Sequence, residues 1–400
     1  MQKKLLLLGG SRYLLPVIKK AHDLGAYVIT CDYLPDNFAH KFSDEYHNVS
    51  IIDKDAVLSL AQELKIDGIM SFACDPGVVT AAYVAEKMNL PGIPYKSACI
   101  LQNKNLFRTF LAENGFNCPF HKSYKTYEEA LNESNDLPYP VIVKPTDSAG
   151  SKGVSRVDSA TELNNALDFA FDNSISGEVI VEKFLEKVGS SSDTDCFSIN
   201  NNLVYASFDC QLFDLNAPNP YTPAGYLWPS NMSAESQEYL YGEIQRLIRL
   251  LNLGTSIYNV ETRQCTDGKS YIMELSPRGG GNRLSEVLEM ATNQSLIENN
   301  IRFALNLELN EMTMPQYNSY WGEVIIHSNT KGKFVGIEIS QEIRNKIVVQ
   351  EDLWIKPGDE IDNFTGANQA IGTIVVKTNS YEEIVTLIEN SNSWVKVIVD

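Results

Sequence analysis

The 400-residue sequence is short of positive charge: 33 lysines and arginines against 51 aspartates and glutamates leave a net charge of −18. So acidic a surface repels nucleic-acid phosphates and anionic lipid, which excludes a generic binder of either; a local basic pocket for a small anion stays open. Histidine is also scarce. The five present (His22, His40, His47, His121, His327) are scattered, and no Ser-His-Asp or Cys-His arrangement is legible. The seven cysteines form no Cys-x-x-Cys pair. An odd, dispersed set in so long a chain reads as reduced core thiols and a cytoplasmic location. No stretch is long and apolar enough to span a bilayer. Leu5 to Leu8, behind Lys3 and Lys4, outlines the start of a signal peptide. The run stops at Gly9-Gly10-Ser11-Arg12, however, and reads better as the buried first strand of a parallel sheet. The glycine-containing loop from Ser148 to Val154 is not a Walker loop, because the Gly-Lys-Ser/Thr order is absent from it. Ser11 and Leu14 stand where a dinucleotide fingerprint needs glycine, so Asp32 is read as a turn residue rather than a ribose ligand.

What is present is ordinary globular composition, 44% hydrophobic, with length for two to four structural units. Strand and helix signals alternate up to Leu90-Pro91-Gly92-Ile93-Pro94, which predicts a Rossmann-like parallel sheet over residues 1–94. From Tyr95 the pattern changes. A helix is predicted over Asn103 to Glu113, strands over Val141 to Lys144 and Val179 to Glu182, a loop over Asn216 to Pro229, and a long helix over Ala234 to Leu251. The stretch from Asn306 to Asn318 reads as a linker. Beyond it come short strands, a Lys356-Pro357-Gly358-Asp359 turn and a helix near Tyr381 to Glu389. The expected units are 1–94, 95–310 and 311–400.

Two segments carry chemistry. Val141-Ile142-Val143-Lys144-Pro145 runs into a small, glycine-containing loop from Ser148 to Val154. Backbone amides there can approach phosphate oxygens, with Ser148, Ser151 and Lys152 adding donors. A mobile surface turn with an incidental lysine is the plainer alternative. The second segment is a predicted hairpin, Ile257 to Glu261 and Tyr271 to Leu275, turning at Asp267-Gly268. A two-residue turn centred there sets Glu261 opposite Glu274. Opposed carboxylates repel unless they are solvated or share a cation, and Mg²⁺ held by carboxylates and nucleotide phosphates fits that need. Ser276 extends the Glu274 face. Arg278-Gly279-Gly280-Gly281-Asn282-Arg283 follows, bringing two guanidinium groups that suit a transferring phosphoryl group and a substrate carboxylate.

With those residues in place, the chain resembles the ATP-grasp superfamily. Three motifs match in order: Val-Ile-Val-Lys-Pro with its Gly/Ser loop, Val181-Glu182-Lys183-Phe184-Leu185, and Glu274-Leu275-Ser276-Pro277-Arg278-Gly279-Gly280-Gly281. The resemblance implies a pre-ATP-grasp domain, a two-subdomain ATP-grasp fold hinged near residues 182–186, and a small C-terminal α+β domain. By residue, it implies that Lys104 and Lys144 hold nucleotide phosphates and that Ser148, Gly150, Ser151, Lys152 and Gly153 form a flap over them. Glu182, Lys183, Phe184 and Leu185 would read adenine, and Ser191 is the nearest match to a ribose contact. Glu261 and Glu274, with Ser276 where the family usually has Asn, would bind two Mg²⁺ ions, with Mn²⁺ as an alternative. Arg278 would stand near the γ-phosphate, and Arg278 or Arg283 could clamp a substrate carboxylate. Glu186 and Asp193 are substitutes for the ribose contact.

The last segment looks most like that of L-amino-acid ligases and related carboxylate–amine ligases. The implied reaction joins a small carboxylate to an amine through an acyl-phosphate, without nucleic-acid or membrane partners and with homodimerisation left open. A purine-pathway ligase or carboxylase, and a non-catalytic ATP-binding regulator, are the alternatives.

Overall fold

The computed structural model describes residues 2–148, 152–220 and 222–400. The N-terminal unit is a parallel sheet in the order Glu45–His47, Tyr27–Cys31, Lys4–Leu8, Gly68–Ser71. Leu5 to Leu8 are fully buried, because helices Leu15–Asp23, Lys54–Leu64 and Asp75–Met88 cover the sheet. Asp53 caps the second of these helices through the Ala56 amide at 3.0 Å. Gly68 admits no side chain, since a Cβ there would stand 2.4 Å from the Ala304 carbonyl. At that point helix Leu296–Ala304 docks onto the N-terminal sheet.

Two further sheets follow. One is ordered His121–Tyr124, Val179–Lys183, Val141–Pro145, Ser155–Val157 and is covered by helix Leu163–Asp172. The other is ordered Asn202–Ala206, Ser192–Ile199, Ser256–Gln264, Ser270–Ser276. Helix Ala234–Leu250 backs it with Leu240, Ile244, Leu247 and Ile248, the 3.6-residue stripe that made it legible.

The stretch Asn216 to Pro229, expected to be a loop, contains the strand Pro223–Trp228, with Tyr226, Leu227 and Trp228 buried. Proline is tolerated at a strand's first position, and the aromatic run behind it supplies the packing. This strand also blurs the division at residue 310. Together with Cys210–Phe213 it joins one sheet with Tyr320–Ile326, Gly372–Thr378 and Val348–Leu353 from the C-terminal segment. The C-terminal segment adds helices Gln341–Lys346 and Ser391–Trp394 to the expected Tyr381–Glu389. All seven cysteines are free. Among the described residues, no helix is long and apolar enough to cross a membrane.

Candidate active site

The hairpin places Glu261 opposite Glu274, though not by the expected two-residue turn. Near the turn the pairs are Arg263 with Tyr271 and Gln264 with Ser270, one residue out of the expected register. Cys265 and Lys269 close a three-residue loop, with Gly268 in the left-handed region at φ 77°. A bulge between Glu261 and Thr262 on one side and Glu274 and Ile272 on the other restores the register, so the two carboxylates still face each other.

The strand Ser192–Ile199 extends this face. Asp193, Glu261 and Glu274 form one row across three strands, and Asp195, Asn259 and Ser276 form the next. Burial, then the charge of Glu261, pushes the Asp193 carboxyl up to about 7. Asp195 rises to about 6, mainly through burial. It accepts the Gly280 amide at 2.8 Å and the Ser285 hydroxyl, and so fixes the glycine run over the sheet. Those glycines are steric necessities: a Cβ on Gly279 would lie 2.1 Å from the Phe72 ring, and one on Gly280 2.6 Å from Leu284.

Arg278 is held by a residue that the sequence did not single out. Asp75, opening the helix Asp75–Met88 of the N-terminal unit, accepts Arg278 Nε at 2.9 Å and Nη2 at 2.8 Å. Burial opposes the guanidinium charge, but Asp75, Glu274 and Asp193 outweigh it and raise the pKa further. Arg278 Nη1 donates to Asn259 at 2.9 Å. Ser276 donates to Asp75 at 2.7 Å and accepts from Gln102 at 2.8 Å, so its hydroxyl is committed on both sides. Asn259, directly across from it, brings an amide to the position where Ser276 has none. Arg283 turns to the C-terminal sheet instead, donating to Glu286, Thr373 and Gln350.

A cluster of cations lies on the other subdomain. Glu182 is 3% exposed and contacts Lys144 Nζ at 2.6 Å and Arg108 Nε at 2.7 Å. The Arg108 contact is one of charge, since its N–H is not aimed at the oxygen. Lys104, at the N-terminus of helix Lys104–Glu113, donates to the Ser148 carbonyl at 2.7 Å. Burial lowers the Lys144 pKa; Glu182 opposes this, while Arg108 and Lys104 add to it. Two cations thus share one carboxylate, with the charge of a third, Lys104, felt at Lys144.

Glu182, expected at the adenine hinge, serves this cluster with its side chain. The hinge amides of Lys183 and Phe184 donate to the Phe120 and Pro140 carbonyls, both at 2.9 Å, and Leu185 is buried. Arg156 lies 4.3 Å over the Phe184 ring. Of the flap, Gly150 and Ser151 lie outside the described residues. Lys152 is exposed, and Gly153 is buried at φ +72°. Ser191 is 1% exposed and accepts from Arg263 at 3.2 Å. Of its two substitutes, Glu186 is exposed, whereas Asp193 belongs to the acidic row. Sequence reasoning missed Asp75, Arg108, Asp195 and Asn259. Period-two alternation from Glu261 could have found Asn259; nothing local marks the others.

Residues 117–300 match the family model described as D-ala D-ala ligase C-terminus. An uncharacterized protein, y4rH, of Sinorhizobium fredii is 24% identical over 341 residues, covering 83% of this chain and 68% of that protein. The carbamoyl phosphate synthase large chain of Thermotoga petrophila is 27% identical over 224 residues, 56% of this chain; the match spans only 20% of that longer protein. The L-amino acid ligase of Bacillus licheniformis shares the fold with a TM-score of 0.82 at 22% identity, over 100% of this chain and 99% of that one. The lysine strand, the hinge strand and the paired-acid hairpin thus stand in order on a fold shared with that ligase over the whole chain, and residues 117–300 carry the family match.

Proposed function

We propose that this protein is an ATP- and Mg²⁺-dependent carboxylate–amine ligase working through an acyl-phosphate. The observation that carries the reading is the complementarity of two faces. One holds Lys144 and Arg108 against a single carboxylate, with Lys104 near enough to be felt at Lys144, an anion deficit that nucleotide phosphates would fill. The other sets Asp193, Glu261 and Glu274 in a row, with Arg263 3.2 Å from Glu261 and Arg278 beside Glu274 as counter-charges. Burial first and Glu261 second raise the Asp193 pKa, and a hard cation would relieve both by compensating the buried charge. Among the described residues no three acids form a metal cage by themselves, so phosphate oxygens and water would have to complete the ion's shell.

Glu261 and Glu274 would hold Mg²⁺, with Asn259 adjacent. Bound there, the ion neutralises phosphate charge as the γ-phosphoryl group moves. Lys144 and Lys104 bind the phosphates, and Arg278, fixed by Asp75, faces the charge that develops on transfer. A substrate carboxylate takes the γ-phosphoryl group, and an amine then attacks the acyl carbon and displaces phosphate. No protein nucleophile is needed, so positioning and charge neutralisation carry the rate. ADP release with Mg-ATP across a matrix of amino acids, dipeptides and small carboxylates tests this. A signal that depends on a substrate pair and is abolished in Glu274→Gln is expected. Normal turnover in that variant sinks the metal assignment, and ATP binding without any turnover leaves the regulatory reading.

A further inference from the structure

Glu323 has no role in that scheme. It sits mid-strand in Tyr320–Ile326, paired with Tyr226 and Val375, and is fully buried. Neither carboxylate oxygen has a hydrogen-bond partner. The nearby Thr373 hydroxyl, which accepts Arg283 Nη1 at 3.1 Å and keeps its own O–H to donate, favours the Glu323 charge. Arg283 directs Nε and Nη2 to Glu286 and Gln350. Burial, with Glu286 and Asp352 close by, holds the Glu323 carboxyl well above the ordinary range despite Arg283. A buried carboxyl whose oxygens lack a well-formed hydrogen bond costs stability, a cost that a cationic ligand would relieve.

The surroundings connect Glu323 to the site. Tyr226 feels Asp193 and Asp209 on one side and Glu323 on the other. Its hydroxyl accepts from Asn282 Nδ2 at 3.0 Å, and Asn282 Oδ1 accepts the Tyr13 hydroxyl at 2.9 Å. Asp209, also fully buried, keeps one oxygen unpartnered. Asn282 and Arg283 both adopt left-handed backbone, at φ 48° and 58°, a strain that non-glycine residues adopt where structure around a site imposes it. Asp193, Asp209 and Glu323 are thus all felt at Tyr226, just past the glycine run.

Resting on the ligase reading, we propose that Glu323 is the counter-ion for a second, permanently protonated nitrogen on the amine substrate, making the acceptor a diamine or a basic amino acid. The nucleophilic nitrogen must shed its proton and present a lone pair, so it cannot be the one held in a salt bridge. The group at Glu323 keeps its charge throughout and anchors the far end of the molecule.

The test compares putrescine, L-lysine and L-arginine with butylamine and L-alanine as acceptors, in wild type, Glu323→Gln and Glu323→Leu, reading ADP release at saturating Mg-ATP. Wild type is expected to favour the dicationic acceptors. Both variants should raise KM for these by at least about 30-fold, leave KM for ATP and for monoamines unchanged, and keep or raise the melting temperature. An unchanged preference, or equal losses on all acceptors with a lowered melting temperature, makes Glu323 structural and overturns the proposal. If no acceptor stimulates ADP release, the ligase reading falls instead. Calorimetric binding of L-arginine and putrescine then decides separately: binding by wild type that Glu323→Gln abolishes keeps the cation site, and its absence from wild type removes it.

Discussion

Replacing Glu182 by glutamine should destabilise the protein by about 3 kcal/mol at pH 7 and leave a recognisable pH signature. The side chain is 3% exposed and lies between Lys144 at 2.6 Å and Arg108 at 2.7 Å. Burial works against its charge, yet Arg108 and then Lys144 depress its carboxyl from 4.5 to about 2. That depression is worth about 3 kcal/mol of linked stability. It agrees with the ~3–5 kcal/mol cost of removing one partner from a buried ion pair. A carboxyl depressed on folding contributes its full stability above the unfolded pKa and loses it as pH falls through the folded one. The gap between wild type and Glu182→Gln should therefore hold from pH 7 to about 5, narrow by about 1 kcal/mol by pH 3.5, and close near pH 2. Urea unfolding of both proteins across that range measures it. Mg-ATP should recover part of the loss, because phosphate oxygens replace the missing negative charge beside Lys144 and Arg108. A difference under about 1 kcal/mol at pH 7, or a gap that does not narrow on acidification, would show that Glu182 does not hold the cluster together.

Asp75→Asn removes the charge that grips the Arg278 fork while leaving Lys104 and Lys144 in place. It should lower kcat by about 100-fold, with KM for ATP within about threefold; loss in KM alone would assign Asp75 to nucleotide binding. Gly279→Ala drives a methyl to 2.1 Å from Phe72 and should cost ~2 kcal/mol in thermal unfolding. Combining it with Phe72→Leu should return most of that; no recovery would locate the strain elsewhere.

Periodicity and local chemistry were enough to show the Rossmann-like beginning, the helix Ala234–Leu250 and the opposed pair Glu261 and Glu274. Each depends on neighbours in sequence: the covered strand at Leu5 to Leu8, a 3.6-residue apolar stripe, a hairpin closed by Gly268. Even there the reading owed something to compensation, since a three-residue turn and a bulge cancelled to give the register expected of a tighter turn. The strand Pro223–Trp228 was hidden because its partner, Tyr320–Ile326, lies about a hundred residues on, and turn residues flank it. Asp75 reaches Arg278 across 203 residues, and Arg108 meets Glu182 because helix Lys104–Glu113 packs on strand His121–Tyr124, the neighbour of Val179–Lys183. The sequence by itself determined which residue types could handle phosphate and metal. Long-range packing alone decided which charges are neutralised and which, like Glu323, are buried without a partner, because Coulomb energies depend on separation and desolvation rather than on chain order.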